Sequence, residues 1–144
     1  NDAAASVVVM SREKAEELGC RPILSIRGYA TAGYYPELMG YTPKFSSEKL
    51  AKKLGLRLKD IDMFEINEAF ASQAYAVVRD LGLDIEKVNI YGGGMSIGHP
   101  IGATGCILTV KVMYELMRSE KKDAMISMCI GGGQAISMYF TKCD

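Results

Sequence analysis

The stretch from Ala103 to Arg118 leaves little room for choice of architecture. Cys106, Ile107, Leu108, Val110, Val112, Met113, Leu116 and Met117 make it apolar on most sides. A helix that is hydrophobic all round is buried all round. It is shorter than the roughly 20 residues needed to cross a bilayer, so its cover must be protein. Cover on more than one side requires layers, and a helix sandwiched between sheets is the expected arrangement.

The rest of the chain supplies strands and further helices. Ala3 to Met10 is short, apolar and valine-rich, and reads as a buried strand. Ser11 caps a brief charged helix from Arg12 to Leu18, with Glu13 near its positive end, and Gly19 stops it. Pro22 to Ala30 reads as a strand, followed by a loop from Thr31 to Pro43. Ser46 is placed to cap a short helix with Leu50, Ala51 and Leu54 on one face. Ile61 to Ile66 reads as a strand. Phe70, Ala74, Val77, Val78 and Leu81 then fall on one face of an amphipathic helix. Val88 to Tyr91 reads as a strand, and Gly92 to Gly105 as a glycine-rich loop into the apolar helix. Ala124 to Ile130 and Gln134 to Phe140 form a hairpin around Gly131-Gly132-Gly133.

From Pro22 the order is βαβαβαββ, which predicts a largely parallel sheet with one antiparallel strand at the end. The strand at Ala3 to Met10 falls outside that set. It reads as the last strand of an upstream unit, and the start at Asn1 without methionine fits a lost upstream segment.

Composition excludes several partner classes. The chain has 144 residues, 49% apolar and 24% charged, which suits one soluble globular domain. Lys+Arg and Asp+Glu both total 17, so there is no electrostatic pull toward nucleic acid or an anionic membrane. No metal site is expected: Cys20, Cys106, Cys129 and Cys143 form no C-x-x-C pair, and His99 is the only histidine. Irregularly spaced cysteines suit a reducing compartment, and a cytoplasmic location is expected. The ending Thr141 to Asp144 is not a peroxisomal address.

Three polar or reactive groups sit where strands end and glycines allow close approach. They are Asn67 before a helix, His99 in Gly98-His99-Pro100-Ile101-Gly102, and Cys129 before the glycine turn. Ligands gather at the carboxyl ends of strands in open α/β sheets, so one cleft is expected to hold all three. Taken singly, Asn67 reads as a helix cap, His99 equally as a loop residue, and Cys129 as a small buried hydrophobe. Neither glycine run has G-x-G-x-x-G spacing or a following Gly-Lys-Ser/Thr.

Taken together, the segments resemble a known family. Asn67-Glu68-Ala69-Phe70-Ala71, then Gly92-Gly93 with Gly98-His99-Pro100-x-Gly102-x-x-Gly105, then Cys129-x-Gly131-Gly132-Gly133 resemble the three C-terminal active-site motifs of thiolases, in order and spacing. Asn1-Asp2-Ala3-Ala4-Ala5 and Met39-Gly40-x-x-Pro43 resemble further family segments, so the resemblance spans nearly the whole chain. It implies a thiolase-like βαβαβαββ half: a mixed sheet and buried helix of a five-layer α-β-α-β-α architecture. Residues 1–20 would be the last strand and connecting helix of the N-terminal half, and residues 21–144 the C-terminal domain. It also implies cleavage of 3-ketoacyl-CoA by CoA, or condensation of two acetyl-CoA, with coenzyme A as substrate and no further cofactor. Partners would be acyl-CoA, CoA and the N-terminal half, in a homodimer or homotetramer.

Residue roles follow from the same resemblance. His99 would activate an acyl-accepting cysteine of the N-terminal half and donate to the thioester oxygen. Asn67 would hold a water completing that oxyanion hole. Cys129 would be the acid/base at the α-carbon, and the Gly131 N–H part of a second oxyanion hole. Met39, Ala69 and Phe70 would line the pantetheine and acyl region. Tyr91, Gly94 and Ala135 stand where many thiolases have asparagine, alanine and glycine. No segment resembles the acyl-accepting cysteine motif, so the chain alone is expected to be inactive. Ketoacyl synthases share the resembled fold but carry an Asn-x-Phe-Gly-Phe-Gly-Gly turn in place of Cys129-Ile130-Gly131-Gly132-Gly133. A non-catalytic thiolase-like acyl or lipid carrier is the other alternative.

Overall fold

The computed structural model describes residues 1–143. Its strands are β1 (Leu24–Gly33), β2 (Met63–Ile66), β3 (Asp123–Gly131) and β4 (Gln134–Lys142). Its helices are α1 (Arg12–Glu17), α2 (Pro43–Leu54), α3 (Ala71–Asp80), the single turn α4 (Gly94–Ile97) and α5 (Thr104–Arg118). The sheet order is β1-β4-β3-β2. β4 runs antiparallel to both β1 and β3, whereas β2 and β3 are parallel. The antiparallel strand expected at the end of the sheet therefore lies inside it. The tight hairpin forces β4 beside β3, and β1 then adds to β4's free side.

Each face of the sheet has its own core. On one, Leu50, Phe64, Ile66, Val77 and Met125 pack together under α2 and α3. On the other, Met63, Leu108, Val112, Leu116, Ala124, Ile126 and Phe140 pack against α5. Only that face of α5 is fully covered. Cys106, Ile107, Val110 and Met113 are half-buried, and Tyr114 and Met117 are exposed, so burial on every face is not reached among the described residues.

Four local expectations change. Ala3 to Met10 forms no strand, and Val8 is 86% exposed, because no neighbouring strand lies beside it among the described residues. The strand expected at Val88 to Tyr91 shrinks to one parallel bridge between Phe64 and Val88. There Asn89 adopts φ 48 and its side chain replaces the ladder: Ile66 N–H donates to Oδ1 at 2.8 Å, and Nδ2 donates to Ile66 O at 2.9 Å. Ser46 does not cap α2, which begins at Pro43, a residue suited to a first turn. It is buried instead in a hydroxyl cluster with Ser47, Ser127 and Ser137. The loop from Thr31 to Pro43 contains a 3-10 stretch over Pro36–Tyr41. Ser11 caps α1 as expected, accepting from Lys14 N–H.

Candidate active site at the carboxyl ends of β2 and β3

β2 ends at Ile66, but the parallel ladder continues one step, because Asn67 N–H donates to Ser127 O at 2.9 Å. Asn67 is 2% exposed and does not cap α3, whose N-cap is Phe70. Gln73 does the local work. Its Nε2 donates to Asn67 O at 3.1 Å, and its Oε1 accepts from Phe70 N–H at 3.3 Å. Gly40 lies against the Gln73 stem, where a Cβ would stand 2.6 Å from Cγ. This contact joins the Met39 segment to the turn carrying Ala69 and Phe70. Met39 and Phe70 are exposed, and Ala69 is half-buried.

Asn67 and His99 are brought together. Asn67 Nδ2 lies 3.4 Å from both ring nitrogens of His99. That is long for a hydrogen bond, so the ring is a neighbour rather than a tightly held partner. The firm contact is elsewhere: His99 Nδ1 is 2.7 Å from Thr104 Oγ1, which in turn donates to Pro100 O at 3.0 Å. A hydroxyl has one proton. With that proton on Pro100 O, Thr104 accepts from Nδ1–H, leaving the Nε2 lone pair available as a base. Thr104 did not stand out in the sequence, since a threonine opening a helix reads as an ordinary residue. Its signal is the spacing His99-Pro100-x-x-x-Thr104.

Cys129 stands one strand over at the same edge, half-buried and opposite Ala135. Burial pushes its thiol above the usual value of 9.0. It makes no hydrogen bond to Asn67 or His99 among the described residues. The pleat turns Asn67 toward α5, as it does Met63 and Glu65. Ser127, two residues before Cys129, faces α2 and reaches Pro43 O and Ser137. Among the described residues Asn67 and His99 meet, and no contact joins either to Cys129, so the three groups share the sheet's carboxyl edge without closing on one another. Beyond Cys129, Gly131, Gly132 and Gly133 take φ of 89, 57 and 78, conformations that favour glycine. The space beside Gly131 is open. No group of three or more His, Cys, Asp or Glu among the described residues is arranged to hold a metal ion. No helix among the described residues is long and apolar enough to cross a membrane.

Beneath Asn67, Glu65 is 1% exposed and its carboxyl is pushed up to about 7 by burial, against the opposing pull of the Lys111 ammonium. In the unfolded chain the same group titrates near 4.5. The fold therefore binds an extra proton between those values. This stabilising contribution is complete below pH 4.5 and is lost as pH rises through about 7. The difference corresponds to about 3 kcal/mol. Glu65→Gln is expected to remove that slope, read as urea-unfolding stability at pH 5 and pH 8. Equal pH dependence in both proteins would refute it.

A family model described as thiolase, C-terminal domain, matches residues 20–142. A 3-ketoacyl-CoA thiolase of Bacillus subtilis is 46% identical over 143 residues, covering 99% of this chain and 37% of that protein. A beta-ketothiolase of Cupriavidus necator is 48% identical over 142 residues, covering 99% and 36%. The acetyl-CoA acetyltransferase of Bacillus anthracis superposes with a TM-score of 0.90 at 43% identity, over 93% of this chain and 34% of that one. Human mitochondrial 3-ketoacyl-CoA thiolase also gives 0.90, at 41% identity. The chain spans a little over a third of the length of these two curated relatives.

Proposed function

The chain belongs to the thiolase family as its C-terminal domain, and from that premise we propose that it supplies the proton-transfer half of an acyl-CoA C-acyltransferase site. The reaction is cleavage of a 3-ketoacyl-CoA by CoA, or condensation of two acetyl-CoA. The observation that carries this reading is the ordered array Thr104–His99–Asn67 beside the Cys129–Gly131 turn. Nδ1–H anchored on Thr104 leaves Nε2 to take the proton of an acyl-accepting cysteine on an N-terminal half. Once protonated, Nε2 becomes a donor for the thioester oxygen, with a water on Asn67 as the second donor. α3 and α5 both begin at this edge, and helix N-termini favour negative charge.

Cys129 has the task at the α-carbon. In cleavage the departing enolate needs a proton, and burial keeps this thiol in the protonated form that gives one. Condensation runs the same transfer in reverse. The space a Cβ would fill at Gly131 is open, so a second thioester oxygen can approach its N–H without a side chain in the way. A substrate lying across the strand ends meets His99 from the α5 side and Cys129 from the α2 side. Met39, Ala69 and Phe70 line the approach for the pantetheine arm. Coenzyme A is substrate, and the scheme needs no other cofactor. The working enzyme is a homodimer or homotetramer in the cytoplasm. We assign residues 1–20 to the last strand and connecting helix of the N-terminal half. The exposed valines of Ala3 to Met10 support that assignment, since nothing among the described residues covers them.

The test is direct. The 144-residue chain, assayed with acetoacetyl-CoA and CoA, is expected to show no turnover, because nothing in it resembles the acyl-accepting motif. Adding an N-terminal half is expected to restore it. Turnover by the chain alone that disappears in Cys129→Ala would mean a different mechanism.

A further inference from the structure

Lys111 lies in the middle of α5, one turn before the buried, ion-paired Glu115, and its side chain is 19% exposed. Its ammonium donates to Glu65 Oε2 on β2 and to Gly92 O, each at 2.5 Å. Gly92 opens the glycine-rich segment that leads to His99. The other Glu65 oxygen, Oε1, is buried and has no partner among the described residues. A half-satisfied buried ion pair is a poor device for stability, since an apolar pair of similar volume packs at least as well. Its geometry suggests another use.

The hydrogen bonds inside the segment from Gly92 to His99 are local: Gly93 O accepts from Ser96 and Ile97 N–H, and Gly94 O from Gly98 N–H. Gly92 and Gly98 take φ of 79 and 89, and α4 is one turn. Glu68 provides one tether: Oε1 accepts from Asn89 Nδ2 at 2.8 Å, and Oε2 from Met95 N–H at 2.9 Å. Thr104 holds the far end through the His99 ring. At the near end Gly92 N–H donates to Asn89 O at 2.8 Å, and Lys111 holds the Gly92 carbonyl. We propose that Lys111 is a positioning residue for His99: by bridging the Glu65 carboxylate to the Gly92 carbonyl, it pins the start of the glycine-rich segment to the end of β2 and so sets where the His99 ring stands against Asn67. This rests on His99 being the site's base.

The bridge has a pH signature of its own. Among charged groups, Lys111 and Glu68 act on Glu65, while Ile126 of β3 stands opposite it in the ladder and belongs with Leu108 and Val112 of α5 to the apolar cluster on that face. As Glu65 ionises through neutrality, the bridge becomes a full ion pair and tightens. Global stability moves the other way over the same range. A merely structural pair would lose local and global protection together.

The experiment is hydrogen exchange on the 144-residue chain at pH 6 and pH 8, corrected for intrinsic rates, beside the imidazole NMR signal of the single histidine. Protection of the amides of residues 93–98 is expected to rise with pH relative to β3 and β4. Lys111→Met is expected to lower that protection at pH 8 by on the order of tenfold and to shift the His99 signal. Lys111→Arg should restore both, and Glu65→Gln should leave protection flat with pH. If Lys111→Met does not fold, the Glu65→Gln/Lys111→Met pair removes the buried charge and carries the same expectation. Unchanged protection and an unmoved His99 signal, or an equal loss in β3 and β4, would overturn the proposal. Should His99 prove not to be the base, acyl-loading assays of His99→Ala would report that, while the exchange result would stand.

Discussion

Cys129→Ser, in an enzyme with both halves present, is expected to load acetyl groups from acetyl-CoA at a nearly normal rate while condensation falls by on the order of 10²–10⁴. Breaking or making the carbon–carbon bond beside a thioester passes through an enolate, and that step needs a proton moved at the α-carbon. Acyl loading does not. A hydroxyl keeps the shape of the thiol but is a far weaker acid. His99→Ala is expected to damage both steps, because Nε2 is assigned to the nucleophile as well as to the thioester oxygen. Radiolabelled acetyl transfer measured beside acetoacetyl-CoA formation separates the two. Equal loss of both steps in Cys129→Ser would return Cys129 to the role of a half-buried structural residue.

Gly133→Ala is expected to be among the most damaging single changes to the fold. Gly133 O accepts from Tyr34 N–H at 2.7 Å and from Thr42 Oγ1 at 3.1 Å, so the turn is tied to the end of β1 and to the start of α2. A Cβ there would collide with the carbonyl oxygen of Tyr34 and stand 3.1 Å from Pro36 Cα. Both obstacles are backbone and cannot rotate away. The positive φ of 78 adds strain for any L side chain. A loss of about 4 kcal/mol is expected, at the severe end for point substitutions, measured by urea unfolding. Gly19→Ala is the control: its φ of 64 carries similar strain, but nothing lies within 4 Å of the added carbon. It should cost about 1–2 kcal/mol. Equal losses in the two would mean that the contacts at Gly133 count for little.

Elements with a strong local pattern were legible in the residues alone. The apolar run of α5, the periodic face of α3 and the glycine-split hairpin of β3 and β4 each specify their own conformation through side-chain spacing. The three segments bearing Asn67, His99 and Cys129 made the family legible, because residue type and order along the chain are what its pattern consists of. Contacts between distant residues were not legible. The strand expected at Val88 gave way to a side-chain ladder because Asn89 can offer Ile66 both a donor and an acceptor. Ser46 left its capping role for a hydroxyl cluster that exists only once α2 lies on β3 and β4. Thr104 orients His99, and Lys111 meets Glu65 from 46 residues away. Spacing along the chain sets which face a residue occupies. Which partner waits on that face depends on packing between elements, and only the folded arrangement decides it.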